Sequence, residues 1–572
     1  MVISSTDSRI FRIEPGLAGL TDEQLKAARS EAQKQRIGLH ESIIKLGFLS
    51  ERDFLVAAAK KSGIGFVEIS GDNIADDALE AVTANIASYY SIIPIKITNK
   101  TLLVATSNPF IETIKSEIQF ALDNSHDLEF VLATSSAIEN AVRKSYGLAA
   151  ATVEQMVTDQ TIEKAQADKE DLIDQDKAYD ASVIKLVNQL LADAVSSDAT
   201  DIHIEPYENQ LKAKYRIDGM LHDVALPSTV RFFREGITSR IKIISGLDIA
   251  EKRLPQDGRA QINFSDQKFD LRISILPTRY GEAINIRILP QSRLIMELAS
   301  LGMAEGNISL LTQLITRPHG IILVTGPTGS GKTTTLYTCM HMLKGTNRKI
   351  ITIEDPIEYD MQGLVQMQIH SQIGFTFAAA LRSMLRHDPD IMLIGEIRDL
   401  ETAETAIRTA LTGHLVFSTL HTNDAASAIT RLLDMGIEPF LAASSIDAIL
   451  AQRLVRVICP NCKEQCDLEP EMATAIKAMT GTDKIYPSYH GRGCSKCRFT
   501  GFHGRTVITE LLVLSDTIRQ MTIDRKHSNQ IDSQARSEGM VSLFKNGLEK
   551  VAQQITTYQE ILRVTKGTVI TE

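Results

Sequence analysis

The chain has 572 residues, too many for one hydrophobic core, so several domains of roughly 100 to 200 residues are expected. A hydrophobic fraction of 43% and a charged fraction of 23% place it among water-soluble globular proteins. The formal net charge of −10 argues against a surface that binds nucleic acid or anionic lipid non-specifically, leaving room only for a local basic patch, and nucleic acid is not expected as a partner.

The opening MVISSTDSRIFRIEPG sets Asp7, Arg9, Arg12 and Glu14 where an export signal needs an unbroken apolar run. From Leu20 to Ile69 the pattern is helical, TDEQLKAARSEAQKQR and SERDFLVAAAKKSG each starting on a hydroxyl residue followed by acids. Strand-like Ile92 to Val104 and FVLATSS complete a small α+β domain over residues 1–150, closing near Tyr146. Residues 151–179 are acidic and polar and read as a linker or an exposed helix. A second α+β domain, 180–295, follows with helical SVIKLVNQLLADAVSS and strand-like DIHIEP, LKAKYRI, FDLRISIL and AINIRIL.

Beyond Ser300 the order strand, glycine loop, helix, strand and polar loop predicts an α/β nucleotide-binding core over 300–455. Ile321 to Val324 is a β-branched strand, GPTGSGK is the turn and TTTLYTCMHML a helix. Gly326, Pro327, Thr328, Gly329, Ser330, Gly331, Lys332, Thr333 and Thr334 form a phosphate loop for ATP. Its glycines turn backbone N–H groups toward phosphate, Lys332 reaches the outer phosphates and Thr333 offers a hydroxyl to Mg²⁺. Two further strands end in acids, where an open α/β sheet binds its ligand. ITIEDPIEY carries Glu354, Asp355 and Glu358, and DIMLIGEIRD runs from Ile391 to Ile394 into Glu396. Glu396 takes the place of the acid that organises metal and water, Gly395 standing where many such enzymes have Asp. Glu358 is the candidate to polarise the attacking water. A fourth strand, LVFSTL, leads into HTND, where His421 is assigned to sensing the γ-phosphate or linking it to a neighbouring loop. His414, just before that strand, reads as structural.

Leu441 to Cys459, the most apolar late stretch, is interrupted by Asp447, Arg453 and Arg456 and reads as a water-soluble helix rather than a membrane span. Four of the six cysteines form two CxxC pairs, Cys459 with Cys462 and Cys494 with Cys497, which in a reduced cytoplasm point to a closed tetrahedral Zn²⁺ site within 456–505. Cys466 is a spare thiol near the first pair. Residues 506–572 read as a C-terminal helical region.

From about Asp180 onward the chain resembles the secretion ATPases of the type II secretion and type IV pilus assembly family. The resemblance rests on GPTGSGKTTTLY, EDPIEY, LIGEIRD and TGHLVFSTLHTND, preceded by DIHIEP, YRIDGML, EKRLPQDGR and LRISILPTRYGEAINIRIL. It implies a RecA-like core behind two α+β domains, the second PAS-like, in a homohexamer working with an inner-membrane platform protein and a docking partner. It also implies that the second domain supplies phosphate-binding arginines, which fall on Arg272 and Arg287. Residues 1–150 resemble the family's N-terminal module, MshEN-like, which in some members binds cyclic di-GMP through a repeated RLG-containing motif. Here Gly38 and His40 replace Arg and Gly in the second copy, and the first copy, before GLTDEQL, has no RLG. That departure argues against dinucleotide sensing and for docking to a membrane partner. Such a cysteine cluster occurs in assembly and secretion members and is missing from retraction motors. The expected function is type II secretion through pseudopilus assembly, with pilus extension as the alternative. A slow nucleotide-gated sensor is the alternative of another class, and a DNA-translocating motor lacks the basic channel it would need.

Overall fold

The computed structural model describes residues 20–35, 39–69, 74–109, 111–122, 125–154, 156, 172–291, 297–470, 473–474, 477 and 487–565. Gly38 and the first RLG-equivalent stretch lie outside these, as does the side chain of His40. The described chain divides into two compact units, Met1–Pro290 and Gln291–Glu572.

The first unit holds two sheets. Strands β1 (Gly65–Phe66), β2 (Ile92–Thr98), β3 (Thr101–Thr106) and β4 (Asp127–Leu132) form a four-stranded sheet in the order β1-β4-β3-β2. The run from Ile92 is thus a hairpin, turned by Asn99 and Lys100 at positive φ. Helix Glu51–Ser62 begins at Ser50, whose hydroxyl accepts from Asp53 N–H, as the hydroxyl-plus-acid pattern predicts. The last eight residues assigned to the linker lie in a 25-residue helix, Leu172–Ser196. Its Leu186, Val187, Leu190 and Leu191 are buried at spacings of three and four, one stripe of the helix.

That stripe packs on the second sheet, formed by β5 (Ala199–Pro206), β6 (Leu211–Ile217), β7 (Met220–Val224), β8 (Gln256–Phe264), β9 (Gln267–Thr278) and β10 (Gly281–Pro290). The order β7-β6-β5-β10-β9-β8 is antiparallel throughout, the PAS-like α+β layer that was expected. Leu271, Ile273, Ile275, Ile284, Ile286 and Ile288 face the helices; the residues between them face away. The helix Leu172–Ser196 is joined to the first module by a bidentate pair, Arg143 to Asp193 at 2.6 Å for each bond.

The second unit is built on seven strands: β11 (Gly320–Thr325), β12 (Ile350–Glu354), β13 (Val365–Gln368), β14 (Ile391–Ile394), β15 (Leu415–Leu420), β16 (Ile446–Ile458) and, after the cysteine segment, β19 (Phe502–Val513). Their order is β13-β12-β14-β15-β11-β16-β19, parallel except for the last pair. In β11, Ile321 and Leu323 enter one apolar core while Ile322 and Val324 enter another, so both faces are covered, as parallel sheets require.

Two expectations are corrected here. The apolar stretch Leu441 to Cys459 is a short helix, Pro439–Ser445, followed by the 13-residue strand β16, because both faces of that strand are buried and a continuous apolar run reads alike as helix or strand. The core also extends past residue 455: β19, assigned to a helical tail, is the edge of the central sheet, and only Asp516 onward is helical. Among the described residues, no helix is long and apolar enough to cross a membrane.

Candidate functional site

The phosphate loop joins β11 to helix Lys332–Leu343. Gly326, Gly329 and Gly331 take φ of +148°, +80° and +88°, which side-chain-bearing residues rarely adopt. A Cβ on Gly326 would lie 2.5 Å from Gln452 O, and one on Gly331 would lie 2.8 Å from Gln452 Nε2, so both glycines are also required by close packing. The first helical bond runs from Thr335 N–H to Gly331 O, which leaves the N–H groups of Lys332, Thr333 and Thr334 without helical acceptors, and among the described residues no side chain caps this end. Ser330 Oγ is buried without a hydrogen-bond partner among the described residues. Lys332 Nζ donates to the loop's own carbonyls, Gly326 O at 2.8 Å and Pro327 O at 3.1 Å. Burial pulls its ammonium down to about 8, Glu396 opposing and Arg453 adding to the shift. Open N–H groups, a poised cation and an unsatisfied hydroxyl form a donor set that fits nucleotide phosphates, with the exposed Thr333 hydroxyl available to their Mg²⁺.

Around the loop, the strand ends assemble the predicted acids. Glu396, just after β14, is largely buried, pairs with Arg398 and lies 3.2 Å from His421 Nε2. Asp355, exposed after β12, acts on Arg398 through space. Glu358 is half-buried in the same loop. Gly395 N–H donates to Ile353 O at 2.7 Å, and a Cβ there would lie 3.2 Å from that oxygen and 3.4 Å from Glu354 Cα, so β12 crowds the place where related sites carry Asp. His414 lies 3.0 Å through Nδ1 from Thr409 O, at the end of the helix before β15.

Glu354 is turned away from the loop. Its carboxylate is buried and accepts from the Tyr337 hydroxyl, from Thr352 Oγ1 at 2.7 Å and from Gln366 Nε2 at 3.2 Å. It fastens helix Lys332–Leu343 to β12. Arg272 and Arg287 belong to the other unit, on its solvent-facing sheet surface, where Arg287 Nε donates to Asp201 at 3.1 Å.

Several residues that shape the site carried no sequence signal. Thr325 Oγ1 meets Thr422 Oγ1 at 2.8 Å, tying the end of β11 to the His421 loop, and Thr419 Oγ1 donates to Gly395 O at 2.7 Å. Gln452 accepts from Thr335 Oγ1 at 2.7 Å and donates to Ser330 O at 2.8 Å, bracing the loop from β16.

A second cluster lies between β16 and β19. Cys459 and Cys494 Sγ are 3.8 Å apart, Cys462 and Cys497 are 3.7 Å apart, as are Cys494 and Cys497, and all four fall within 4.8 Å of one another. Zinc–thiolate bonds of about 2.3 Å in a tetrahedron set sulfurs about 3.8 Å apart, so the cluster fits such an ion. Burial works against ionisation of Cys497, but N–H groups from Cys494 and Gly501 bring it down to about 7. Cys466 points elsewhere, its Sγ 3.4 Å from Ser488 Oγ in the small ladder of β17 (Lys463–Cys466) and β18 (Ser488–Gly491).

Residues 176–563 match the family model described as Type II/IV secretion system protein. The chain belongs to that family. Residues 62–152 match the MshEN domain as well. This family member is 39% identical to the type IV pilus assembly ATPase PilB of Myxococcus xanthus, over 94% of the chain and 96% of that protein. It is 46% identical to the type II secretion system protein E of Dickeya dadantii, over 71% of the chain and 80% of that protein. Against the type II secretion system protein HxcR of Pseudomonas aeruginosa it is 43% identical, over 82% of the chain and 95% of that protein. Membership makes ATP hydrolysis its enzyme class.

Proposed function

We propose that the chain is a cytoplasmic, homohexameric ATPase that powers type II secretion by driving pseudopilus assembly through an inner-membrane platform protein. The observation that carries the ATPase reading is the cluster of Glu396, His421 and Arg398 at the strand ends beside an uncapped phosphate loop with Lys332. Type II secretion proteins give the higher identities among the relatives above. Pilus assembly is the second reading, favoured by the alignment to a pilus assembly ATPase over 94% of this chain.

In this reading the loop N–H groups and Lys332 hold the β- and γ-phosphates. Thr333 would hold Mg²⁺, and the ion supplies charge neutralisation on the transferred phosphoryl group. Glu358 accepts the proton of the attacking water, while Glu396 orients that water and His421 fixes the Glu396 carboxylate. Arg272 and Arg287 offset the charge that develops on the phosphoryl oxygens. The four cysteines hold structural Zn²⁺, and the N-terminal module serves as a docking surface. Deleting the gene and assaying protein export and surface pili side by side tests the assignment: loss of export with pili intact supports type II secretion, and the reverse supports pilus extension.

A further inference from the structure

Arg453 was visible in the sequence only as a charge interrupting an apolar run. In the structure it is 9% exposed on β16, two residues beyond the point where that strand leaves its pairing with β11. A Cβ on Gly326 would lie 3.2 Å from Arg453 Nη1, so the guanidinium is packed against the first glycine of the phosphate loop. Its partners are neutral: Nη1 donates to Gln452 O at 3.1 Å, and Nη2 donates to Asn423 O at 2.8 Å and to Asn423 Oδ1 at 3.1 Å. Among the described residues, no carboxylate forms an ion pair with it. Asp424 and Glu510 act on it only through space. Both are engaged at helix N-termini, Asp424 by Ser427 N–H at 2.7 Å and Glu510 by the N–H groups of Ala425 and Leu543 at 3.0 and 3.2 Å.

A buried guanidinium without a counter-ion is unfavourable, and it becomes less so when negative charge arrives nearby. Lys332 is close enough to feel Arg453, so the two cations address one place, the loop that receives the phosphates. We propose that Arg453 is a positioning residue of the phosphate site: it holds a permanent positive charge against Gly326 and ties the loop to Asn423 in the His421 segment. The unfavourable charge in the nucleotide-free protein is offset when ATP binds, so Arg453 converts buried electrostatic strain into phosphate affinity. Arginine suits the position because it stays charged when buried and its planar fork spans Gln452 and Asn423 together.

The proposal rests on ATP binding at this loop. It is tested in the full chain with Arg453→Gln and Arg453→Lys, measuring ATP affinity by displacement of a fluorescent ATP analogue and thermal unfolding with and without Mg-ATP. Arg453→Gln should weaken ATP binding by about tenfold or more, the scale of a lost charge-assisted interaction. It should leave the nucleotide-free unfolding midpoint unchanged or raised and shrink the rise that ATP produces. Arg453→Lys should bind ATP more tightly than Arg453→Gln and less tightly than wild type. Wild-type affinity in Arg453→Gln overturns the proposal, as does a nucleotide-free midpoint that falls while ATP affinity holds. A lysine variant as weak as the glutamine one overturns the role of charge. If the wild-type chain binds no ATP, the reading of the site and this proposal fail together; if it binds and Arg453→Gln is unaffected, only the proposal fails.

Discussion

Arg272 on β9 and Arg287 on β10 stand directly opposite each other across an antiparallel pair, on the sheet face turned away from the helices. The row continues on both sides, to Arg259 on β8 and, through Asp201, to Arg216 on β6. Asp201 lies between Arg287 and Arg216 and pairs with both, and guanidinium groups gathered on one sheet face suit an anionic ligand. Arg272→Ala or Arg287→Ala should therefore cut ATP turnover by at least about tenfold, with a smaller loss of nucleotide affinity and no loss of folded protein. Steady-state phosphate release and analogue displacement measure the two separately. Unchanged turnover in both variants would make the row a solvated surface.

The cysteine cluster predicts one Zn²⁺ per chain by elemental analysis. Cys459→Ser or Cys494→Ser should lose the metal and loosen the segment between the pairs to proteolysis, since structural zinc contributes on the order of 10 kcal/mol in small peptide sites. Cys466→Ser should keep it, because that thiol faces Ser488. A fully folded, metal-free protein would refute the assignment.

Glu354 tests whether an acid beside the phosphate loop belongs to the chemistry or to the frame. Removing the Tyr337 hydroxyl leaves a buried carboxylate short of one donor. Tyr337→Phe should lower stability by about 1 to 3 kcal/mol in denaturant unfolding while turnover is largely kept. A large loss of turnover at unchanged stability would return Glu354 to the reaction.

Much of the nucleotide core was legible because its signals are local. The strand Ile391–Ile394 ends where its apolar run ends, and the glycine loop lies between a β-branched strand and a good helix former. Signals that depend on distant partners were not. β8 reads QDGRAQINF, too polar to stand out, and it forms a strand because β9 pairs with it along nine residue pairs. Gln452 and Arg453 bear on the phosphate loop only because β16 lies next to β11, an adjacency that no spacing within either segment records. Glu354 looked equivalent to Asp355, yet Glu354 is the last residue of β12, whose five residues are all buried, while Asp355 lies just past the strand and is exposed.

Lys332→Ala tests the cation of the phosphate loop. With the cation gone, ATP affinity should fall and turnover should be lost with it, because the Lys332 ammonium sits at the loop carbonyls where the outer phosphates would lie. Isothermal titration with a non-hydrolysable analogue reads the affinity directly, and wild-type affinity would show that Lys332 is not the phosphate cation.

The central claim, that Glu396 with His421 drives hydrolysis of ATP held on the phosphate loop, is tested most directly by single-turnover phosphate release from full-length wild type and Glu396→Gln, with bound nucleotide counted in the same samples. The account predicts that Glu396→Gln binds ATP as wild type does and releases phosphate at less than about one tenth of its rate. Equal rates in the two proteins would contradict it.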